Sequence, residues 1–269
     1  MTTTMIDGVD GVKLAVHETG TGRPVVLLHS WSLNSAIWDA QIAALTAAGF
    51  RCIAIDRRGH GQSEQCGPYD ADTLADDVAA VMDALDLKDT VLVSHSMGSL
   101  ETIRMLARQG ASRVAKIALV APITPFLKKT DDNPGGVDPE AVEMMIAMQR
   151  ADRDGFVHAG APGFFGAAMT PADLEWALTE WRKSDPEAAI ACQKTFSDID
   201  LRADTAAVTV PALIIHGDAD MSSPLELTAL ATKALIPHAE LKIYPGAPHG
   251  LFRSHAGQLS EDLVAFAAQ

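Results

Sequence analysis

Cysteine and positive charge are both scarce in this chain of 269 residues. Its three cysteines, Cys52, Cys66 and Cys192, are widely spaced and include no CxxC pair. This pattern argues against a disulfide framework or a zinc site and favours reduced thiols in the cytoplasm. Lys and Arg number 21 against 35 Asp and Glu, which gives a formal net charge of −14. Because that charge repels phosphate backbones and anionic lipids, we expect no nucleic-acid or membrane partner.

Long apolar runs and cofactor-binding motifs are also absent. No window reaches the ~18 uninterrupted apolar residues of a membrane span. Residues 1–7 have neither the basic start nor the apolar centre of an export signal. The chain has no GxGxxG opening a helix, no HExxH and no P-loop. We therefore expect a protein that is neither exported nor membrane-embedded, and a reaction that uses no metal or other cofactor.

Short apolar runs alternate along the chain with longer segments of helical periodicity. The strands predicted from the apolar runs are Val12–His17, Pro24–His29, Arg51–Asp56, Thr90–Ser94, Ala115–Ala121, Ala212–His216 and Glu240–Tyr244. The helices predicted between and after them are Ala36–Ala48, Thr73–Leu85, Met97–Gln109, Pro224–Leu235 and Gly257–Ala267. Continuously apolar strands are typical of a parallel sheet covered on both faces. The pattern predicts an α/β fold with a mostly parallel, doubly wound sheet.

The alternation stops between about residues 123 and 207. Three helices are predicted there, and no strand: Pro139–Asp152, Pro171–Ser184 and Pro186–Phe196. We interpret this segment as a helical cap inserted into a single domain that spans residues 1–269.

The run Ser94-His95-Ser96-Met97-Gly98 lies where a predicted strand passes into a predicted helix. A sharp strand-to-helix turn of this kind exposes the central serine hydroxyl. The usual pattern is G-x-S-x-G, so Ser94 stands in place of the first glycine. The run predicts that Ser96 is a nucleophile, and such a serine needs a base and a group that orients the base.

Two later loops can supply those groups. Asp218 and Asp220 follow the strand Ala212–His216, and His249 lies in a Gly/Pro-rich loop after the last strand. The order Ser, Asp, His is the one found in this fold class. We therefore predict Ser96, Asp220 and His249 as a catalytic triad, with Asp218 shaping the turn. The oxyanion donors are expected to be the backbone N–H groups of Met97 and Trp31, the latter from the loop after Pro24–His29.

Several longer runs together resemble the α/β-hydrolase superfamily, and within it the bacterial arylesterase and cofactor-free haloperoxidase (perhydrolase) group. They are IDRRGHGQS at 55–63, LDLKDTVLV at 85–93, SRVA at 112–115, PITPF at 122–126, HGDAD at 216–220, AELKIY at 239–244 and APHG at 247–250. The resemblance implies hydrolysis of a small carboxylic ester or lactone through an acyl-enzyme, with perhydrolysis as a side reaction. It also implies a substrate pocket lined by Ser32, Ile123, Phe126, Val142, Phe156, Phe164, Ser222 and Leu251.

The chain departs from that group at three places. Ser30 and Ser94 occupy positions that are usually glycine, and Gly98-Ser99 replaces a glycine pair. Ser30 and Ser94 lie near the predicted oxyanion loop and the turn, so they could alter the donor geometry or add a hydroxyl to the site. The sequence does not decide between these effects.

The sequence is also compatible with three other functions. The run Ser94-His95-Ser96 is also similar to cofactor-free quinolone dioxygenases of the same fold, although the segment Ala118–Pro122 lacks the acid that those enzymes carry after the next strand. A C–C bond hydrolase would use the same triad. A ligand-binding receptor on this fold is a third alternative, and a homo-oligomer is neither predicted nor excluded.

Overall fold

An eight-stranded sheet forms the centre of the computed structural model, which describes all 269 residues. The strands lie in the order β1-β2-β4-β3-β5-β6-β7-β8 across the sheet. Their bounds are β1 Thr2–Asp7, β2 Lys13–Thr19, β3 Pro24–Leu28, β4 Arg51–Ile55, β5 Thr90–His95, β6 Val114–Val120, β7 Ala212–Gly217 and β8 Glu240–Tyr244. Strands β3 to β8 pair in parallel, whereas β2 pairs antiparallel with β1 and β4. The predicted α/β class with a mostly parallel sheet is confirmed.

Eleven α-helices connect or follow the strands. They are α1 Asp39–Ala47, α2 Ala71–Ala84, α3 Gly98–Gln109, α4 Pro139–Ala151, α5 Arg153–Phe165, α6 Pro171–Trp181, α7 Pro186–Asp198, α8 Arg202–Ala206, α9 Ala231–Leu235, α10 Leu251–Ser254 and α11 Ala256–Ala268. A 3₁₀ turn, Ser35–Trp38, precedes α1, and a π turn, Glu226–Leu230, precedes α9. None of these helices combines the length and apolar character needed to cross a bilayer.

Alternate residues of the central strands enter two separate core layers. Val26 and Leu28 of β3 pack in the layer that includes α2 and α3, while Val25 and Leu27 pack in the layer that includes α1 and α11. Successive side chains of a strand point to opposite faces, so a strand covered on both sides must be apolar throughout. This is why the central strands could be predicted as continuous apolar runs.

Two elements were missed because their composition opposes the structure they adopt. Strand β1 is polar and largely exposed, since it pairs at the edge of the sheet. Helix α5 contains three glycines and Pro162, which are poor helix formers. Its residues Val157, Ala161 and Phe165 pack with Trp181 in a small apolar cluster, and this burial outweighs the low propensity.

The sheet topology brings four loops together. In a parallel sheet the carboxyl ends of neighbouring strands meet at one edge, where ligands bind in folds of this class. Ser96 follows β5, Asp220 follows β7, His249 follows β8 and Trp31 follows β3. All four predicted residues therefore lie at the same edge of the sheet.

Candidate active site

Ser96 occupies a tight turn between β5 and α3. Its backbone has φ of +53°, a left-handed conformation that is rare for residues with a side chain. Close packing below the turn requires Gly98, because a Cβ there would lie 2.8 Å from the carbonyl oxygen of Leu28. The Ser96 N–H donates to the carbonyl of Val120 at 3.0 Å. The backbone thus holds the serine in a sharp, supported elbow.

The two serines that replace glycine near this elbow are accommodated in different ways. Ser94 is part of β5, is fully buried, and does not have a positive φ, so glycine is not required there. Its hydroxyl has no hydrogen-bond partner. Ser99 lies in the first turn of α3, where its hydroxyl donates to the Ser96 carbonyl at 2.6 Å and accepts from the Ile123 N–H at 3.1 Å. Ser99 therefore braces the elbow in a way that glycine could not.

Ser96, His249 and Asp220 form one hydrogen-bonded chain. Ser96 Oγ lies 2.9 Å from His249 Nε2, and His249 Nδ1 lies 2.7 Å from Asp220 Oδ2. Since the serine hydroxyl donates to Nε2, the neutral imidazole carries its proton on Nδ1 and donates it to the carboxylate. All three residues are buried, with exposed fractions of 5%, 3% and 8% in that order. The structure brings the predicted triad residues together in the order and spacing that proton transfer needs.

Asp220 is surrounded by donors. The backbone N–H groups of Ser222 and Ser223 each donate to Oδ1 at 2.8 Å, and the Ser223 hydroxyl lies 3.0 Å from Oδ2. Burial alone would raise the pKa of this carboxyl. The His249 imidazole, nearby His216 and the hydrogen bonds outweigh that effect and hold the pKa of Asp220 well below its ordinary value. Asp220 is therefore an anion in the folded protein at neutral pH.

Asp218 has a different position and different contacts. Its carboxylate accepts a 2.6 Å hydrogen bond from the N–H of Gly246, in the turn after β8, and the residue is exposed. Asp218 therefore links the loop after β7 to the turn that leads to His249. This contact fits the turn-shaping role predicted for it.

Two further histidines next to the triad were not singled out from the sequence. His95 donates from Nε2 to the carbonyl of His249 at 2.9 Å, and burial, with help from His249, lowers the pKa of His95 to about 3. His216, at the end of β7, is fully buried, and its pKa is also lowered by burial. Both rings are therefore neutral in the folded state. The structure has no group of three or more His, Cys, Asp or Glu side chains spaced to hold a metal ion.

The two predicted oxyanion donors are unpaired. Neither the Trp31 N–H nor the Met97 N–H makes a hydrogen bond within the protein. Arg57 fixes the loop that carries Trp31 by donating to the carbonyls of His29 and Ser30, at 2.8 and 3.2 Å. Arg57 is itself buried against Glu101. Both N–H groups are thus free to bind an acceptor on a ligand.

Four of the predicted pocket residues contact the triad, the loops that carry it or Trp31. The ring of Phe164 lies 5.2 Å from the His249 ring, and the Phe164 carbonyl accepts from the Gly250 N–H at 2.7 Å. Phe156 meets the Trp31 ring edge-on at 6.2 Å. Ile123 contacts the elbow through Ser99, and Ser222 contacts Asp220 through its backbone. Both aromatic residues lie on α5, so this unpredicted helix contacts Trp31 and His249.

The other four are buried side chains. Val142 packs with Ile146 and Ile190, and Leu251 is fully buried in a core layer. The ring of Phe126 stacks under the Arg202 guanidinium at 4.8 Å. Ser32 is fully buried with φ of +54°, and its hydroxyl is unpaired. The pocket role of all eight residues stays a prediction.

A cleft of about 490 Å³ opens between the end of α5, α6, α10 and the start of α1. Its apolar lining includes Ile37, Phe165, Met169, Trp176 and Phe252. None of the eight predicted pocket residues lines this cleft. The ring of Phe252, which lines the cleft, lies 6.1 Å from the Phe164 ring, and the Phe164 ring lies 5.2 Å from that of His249.

Comparison with known proteins agrees with this fold. The sequence profile of the alpha/beta hydrolase family matches residues 25–262. A non-heme haloperoxidase of Rhodococcus erythropolis is 38% identical over 264 residues, 96% of each chain. A bifunctional esterase/perhydrolase of Acinetobacter calcoaceticus is 35% identical over 270 residues, again 96% of each chain. The crystal structure of a bromoperoxidase from Bacillus anthracis superimposes with a TM-score of 0.95 at 32% identity and covers all of both chains.

Proposed function

The chain belongs to the alpha/beta hydrolase family, and we propose that it hydrolyses a small carboxylic ester or a lactone through an acyl-enzyme on Ser96. The observation that carries the proposal is the pair of short contacts, 2.9 Å from Ser96 to His249 and 2.7 Å from His249 to Asp220. Relatives of about the same length, an esterase/perhydrolase among them, support a small-molecule substrate.

In the first half of the reaction His249 acts as a base and then as an acid. Nε2 takes the hydroxyl proton of Ser96 while Oγ bonds to the substrate's carbonyl carbon, and the electrons of the C=O bond move onto oxygen. The N–H groups of Trp31 and Met97 stabilise that oxyanion, and each lowers the activation free energy by about 3 kcal/mol. The imidazolium then gives its proton to the leaving alcohol oxygen as the C–O bond breaks. In a lactone the leaving oxygen stays attached to the acyl group.

The second half repeats these steps with water. Nε2 removes a proton from water, the hydroxide attacks the acyl carbon, and the proton returns to Ser96 Oγ as the ester bond to the enzyme breaks. Asp220 keeps its negative charge throughout and stabilises the imidazolium that forms twice per turnover. The products are a carboxylic acid and an alcohol, or a hydroxy acid from a lactone.

Perhydrolysis is a second candidate, favoured by the esterase/perhydrolase relative. Hydrogen peroxide would take the place of water: Nε2 of His249 would remove its proton, the peroxide oxygen would attack the acyl carbon, and the bond to Ser96 Oγ would break as the proton returns to Oγ, which releases the acyl group as a peracid. The same residues would act in both reactions. Peracid production from acetate or an ester with hydrogen peroxide, followed by the oxidation of bromide, tests this activity.

Hydrolysis of 4-nitrophenyl acetate and butyrate, together with labelling by a fluorophosphonate probe, tests the main proposal. We expect the purified protein to hydrolyse both esters and to be labelled at Ser96. Ser96→Ala should lose at least ~10³-fold in rate and all labelling. The matched control is Ser260→Ala, a buried serine on α11 that donates to the Ala256 carbonyl, and it should keep both. A wild-type protein with neither activity nor label overturns the proposal.

A further inference from the structure

Ser223 has a side chain that touches two members of the triad at once. It lies in the loop after β7, three residues after Asp220, and is fully buried. Its Oγ is 3.0 Å from Asp220 Oδ2 and 3.1 Å from His249 Nδ1. No other acceptor side chain lies within hydrogen-bond distance of this hydroxyl.

The positions of the protons follow from the donors available. Ser96 donates to Nε2 of His249, so Nδ1 carries a hydrogen and cannot accept one. The Ser223 hydroxyl must therefore donate to Asp220 Oδ2, the same oxygen that accepts the Nδ1–H. The lone pairs of Ser223 Oγ face the Nδ1–H of His249, and the distance from Oγ to Nδ1 is 3.1 Å. Ser223 thus donates to the carboxylate and presents a second, weaker acceptor to the imidazole.

The backbone of Ser223 is held on two sides. Its N–H donates to Asp220 Oδ1 at 2.8 Å, and its carbonyl accepts from His216 Nε2 at 2.8 Å. Thr228 supports the next residue by donating to the Pro224 carbonyl at 2.9 Å. A buried hydroxyl fixed in this way cannot turn to solvent. The hydrogen bonds of the loop backbone therefore hold the Ser223 hydroxyl in contact with Asp220 and His249.

We infer that Ser223 is a positioning residue of the reaction: its hydroxyl shares the negative charge of Asp220 and fixes the plane of the His249 ring, so that Nε2 faces Ser96. This inference rests on the proposed function. With the hydroxyl present, less of the carboxylate charge is available to stabilise the imidazolium. Without it, the imidazolium is favoured and the ring has one contact fewer to hold its orientation.

The charge states of the side chains around His249 decide what the Ser223 hydroxyl can affect. The titratable side chains that face it are Asp220 from the loop after β7, His216 from the end of β7 and His95 from β5. Near pH 7 the carboxyl of Asp220 is ionised, because its hydrogen bonds and His249 lower its pKa, and both histidines are neutral, because burial lowers their pKa. Ser223 itself carries no charge, so its substitution by alanine removes a hydrogen-bond donor without adding or removing a charged group beside His249.

Kinetic comparison of Ser223→Ala, Ser223→Thr and Ser260→Ala tests the inference on 4-nitrophenyl acetate. We expect Ser223→Ala to lose about tenfold in kcat, with KM little changed. The acidic limb of its kcat/KM pH profile should move to higher pH by about half a unit, because the protonated imidazole gains stabilisation. Ser223→Thr keeps the hydroxyl and should restore both values, and Ser260→Ala should match the wild type. An unchanged kcat and pH profile in a folded Ser223→Ala protein overturns the inference.

A second measurement does not depend on turnover. The proton shared by His249 Nδ1 and Asp220 gives a low-field ¹H NMR signal, which Ser223→Ala should shift and Ser260→Ala should not. If the wild type hydrolyses no ester but the signal shifts, the proposed function fails while the contact of Ser223 with the pair stands. If ester hydrolysis is found and Ser223→Ala moves neither the signal nor the profile, the inference about Ser223 alone is wrong.

Discussion

The indole N–H of Trp31 donates a 2.7 Å hydrogen bond to the carbonyl of Ala189. Trp31 belongs to the loop after β3, whereas Ala189 lies on α7, between β6 and β7. The same indole meets the rings of Trp181 and Phe196 edge-on, at 4.9 and 5.8 Å. The backbone N–H that we propose as an oxyanion donor is therefore held in place by the helices that follow β6.

Replacing Trp31 by phenylalanine tests that link. Trp31→Phe keeps the backbone N–H and an aromatic ring but removes the donor to Ala189. We expect kcat for 4-nitrophenyl acetate to fall roughly tenfold and the free energy of unfolding to fall by about 1 kcal/mol. Trp176→Phe is the control for loss of an indole, because Trp176 lies on α6 and its ring contacts are with Phe165 and Phe252. Wild-type kcat in Trp31→Phe would mean that the loop keeps its shape without α7.

Ser99→Ala removes the hydroxyl that joins the Ser96 carbonyl to the Ile123 N–H. We expect the free energy of unfolding to fall by about 1–3 kcal/mol, since a buried N–H is left without a partner. Urea unfolding measures the change. Thr102 lies on the same helix with a buried, unpaired hydroxyl, so Thr102→Val should cost nothing or stabilise the protein. Equal effects of the two substitutions would contradict the bracing role of Ser99.

Asparagine at each of the two acidic positions separates their roles. Asp220→Asn should lower kcat by about 10³- to 10⁴-fold with the fold intact, because an amide does not hold the imidazole in the required tautomer or stabilise its charge. Asp218→Asn should keep kcat within a few fold, since its carboxylate contacts only the turn at Gly246. Steady-state kinetics and circular dichroism check both. The reverse result, an active Asp220→Asn and an inactive Asp218→Asn, would assign the acid to Asp218.

The free energy of unfolding should decrease as the pH falls below about 6.5, because histidines that are buried and neutral in the folded protein become protonated when the chain unfolds. Burial, helped by the nearby Arg57, lowers the pKa of His60 from 6.5 to about 3. The unfolded chain therefore binds a proton at His60 between these values while the folded chain does not. This proton uptake removes up to about 1.4 kcal/mol per pH unit from the free energy of unfolding.

Urea unfolding of a His60→Asn variant between pH 7.5 and 5 measures this contribution. The variant should have a shallower loss of stability with falling pH than the wild type, by up to one proton. His158→Asn, at an exposed position, should follow the wild type. Parallel curves for the wild type and His60→Asn would show that His60 does not bind a proton on unfolding in this range.

The parts of the fold that could be predicted are those in which local composition and tertiary burial agree. The central strands are buried on both faces and are apolar throughout, so the sequence predicts them as continuous apolar runs. Helix α5 could not, because its glycines and Pro162 oppose a helix that only packing against Trp181 stabilises. Strand β1 could not either, because its pairing with β2 leaves most of its side chains in solvent.

The candidate site also has features that could be predicted from the sequence and features that could not. The residue types of the candidate site, their order and their positions after strands could be predicted, because the strand-to-helix turn at Ser96 and the loops at Asp220 and His249 follow from local patterns. Which side chains contact one another could not be predicted, because it depends on how distant parts of the chain pack. Ser223, Ser99 and His95 act across 26, 24 and 154 residues of sequence, and no local pattern records a contact that the sheet alone creates. The hydrogen bonds that complete the site are therefore properties of the packed sheet edge.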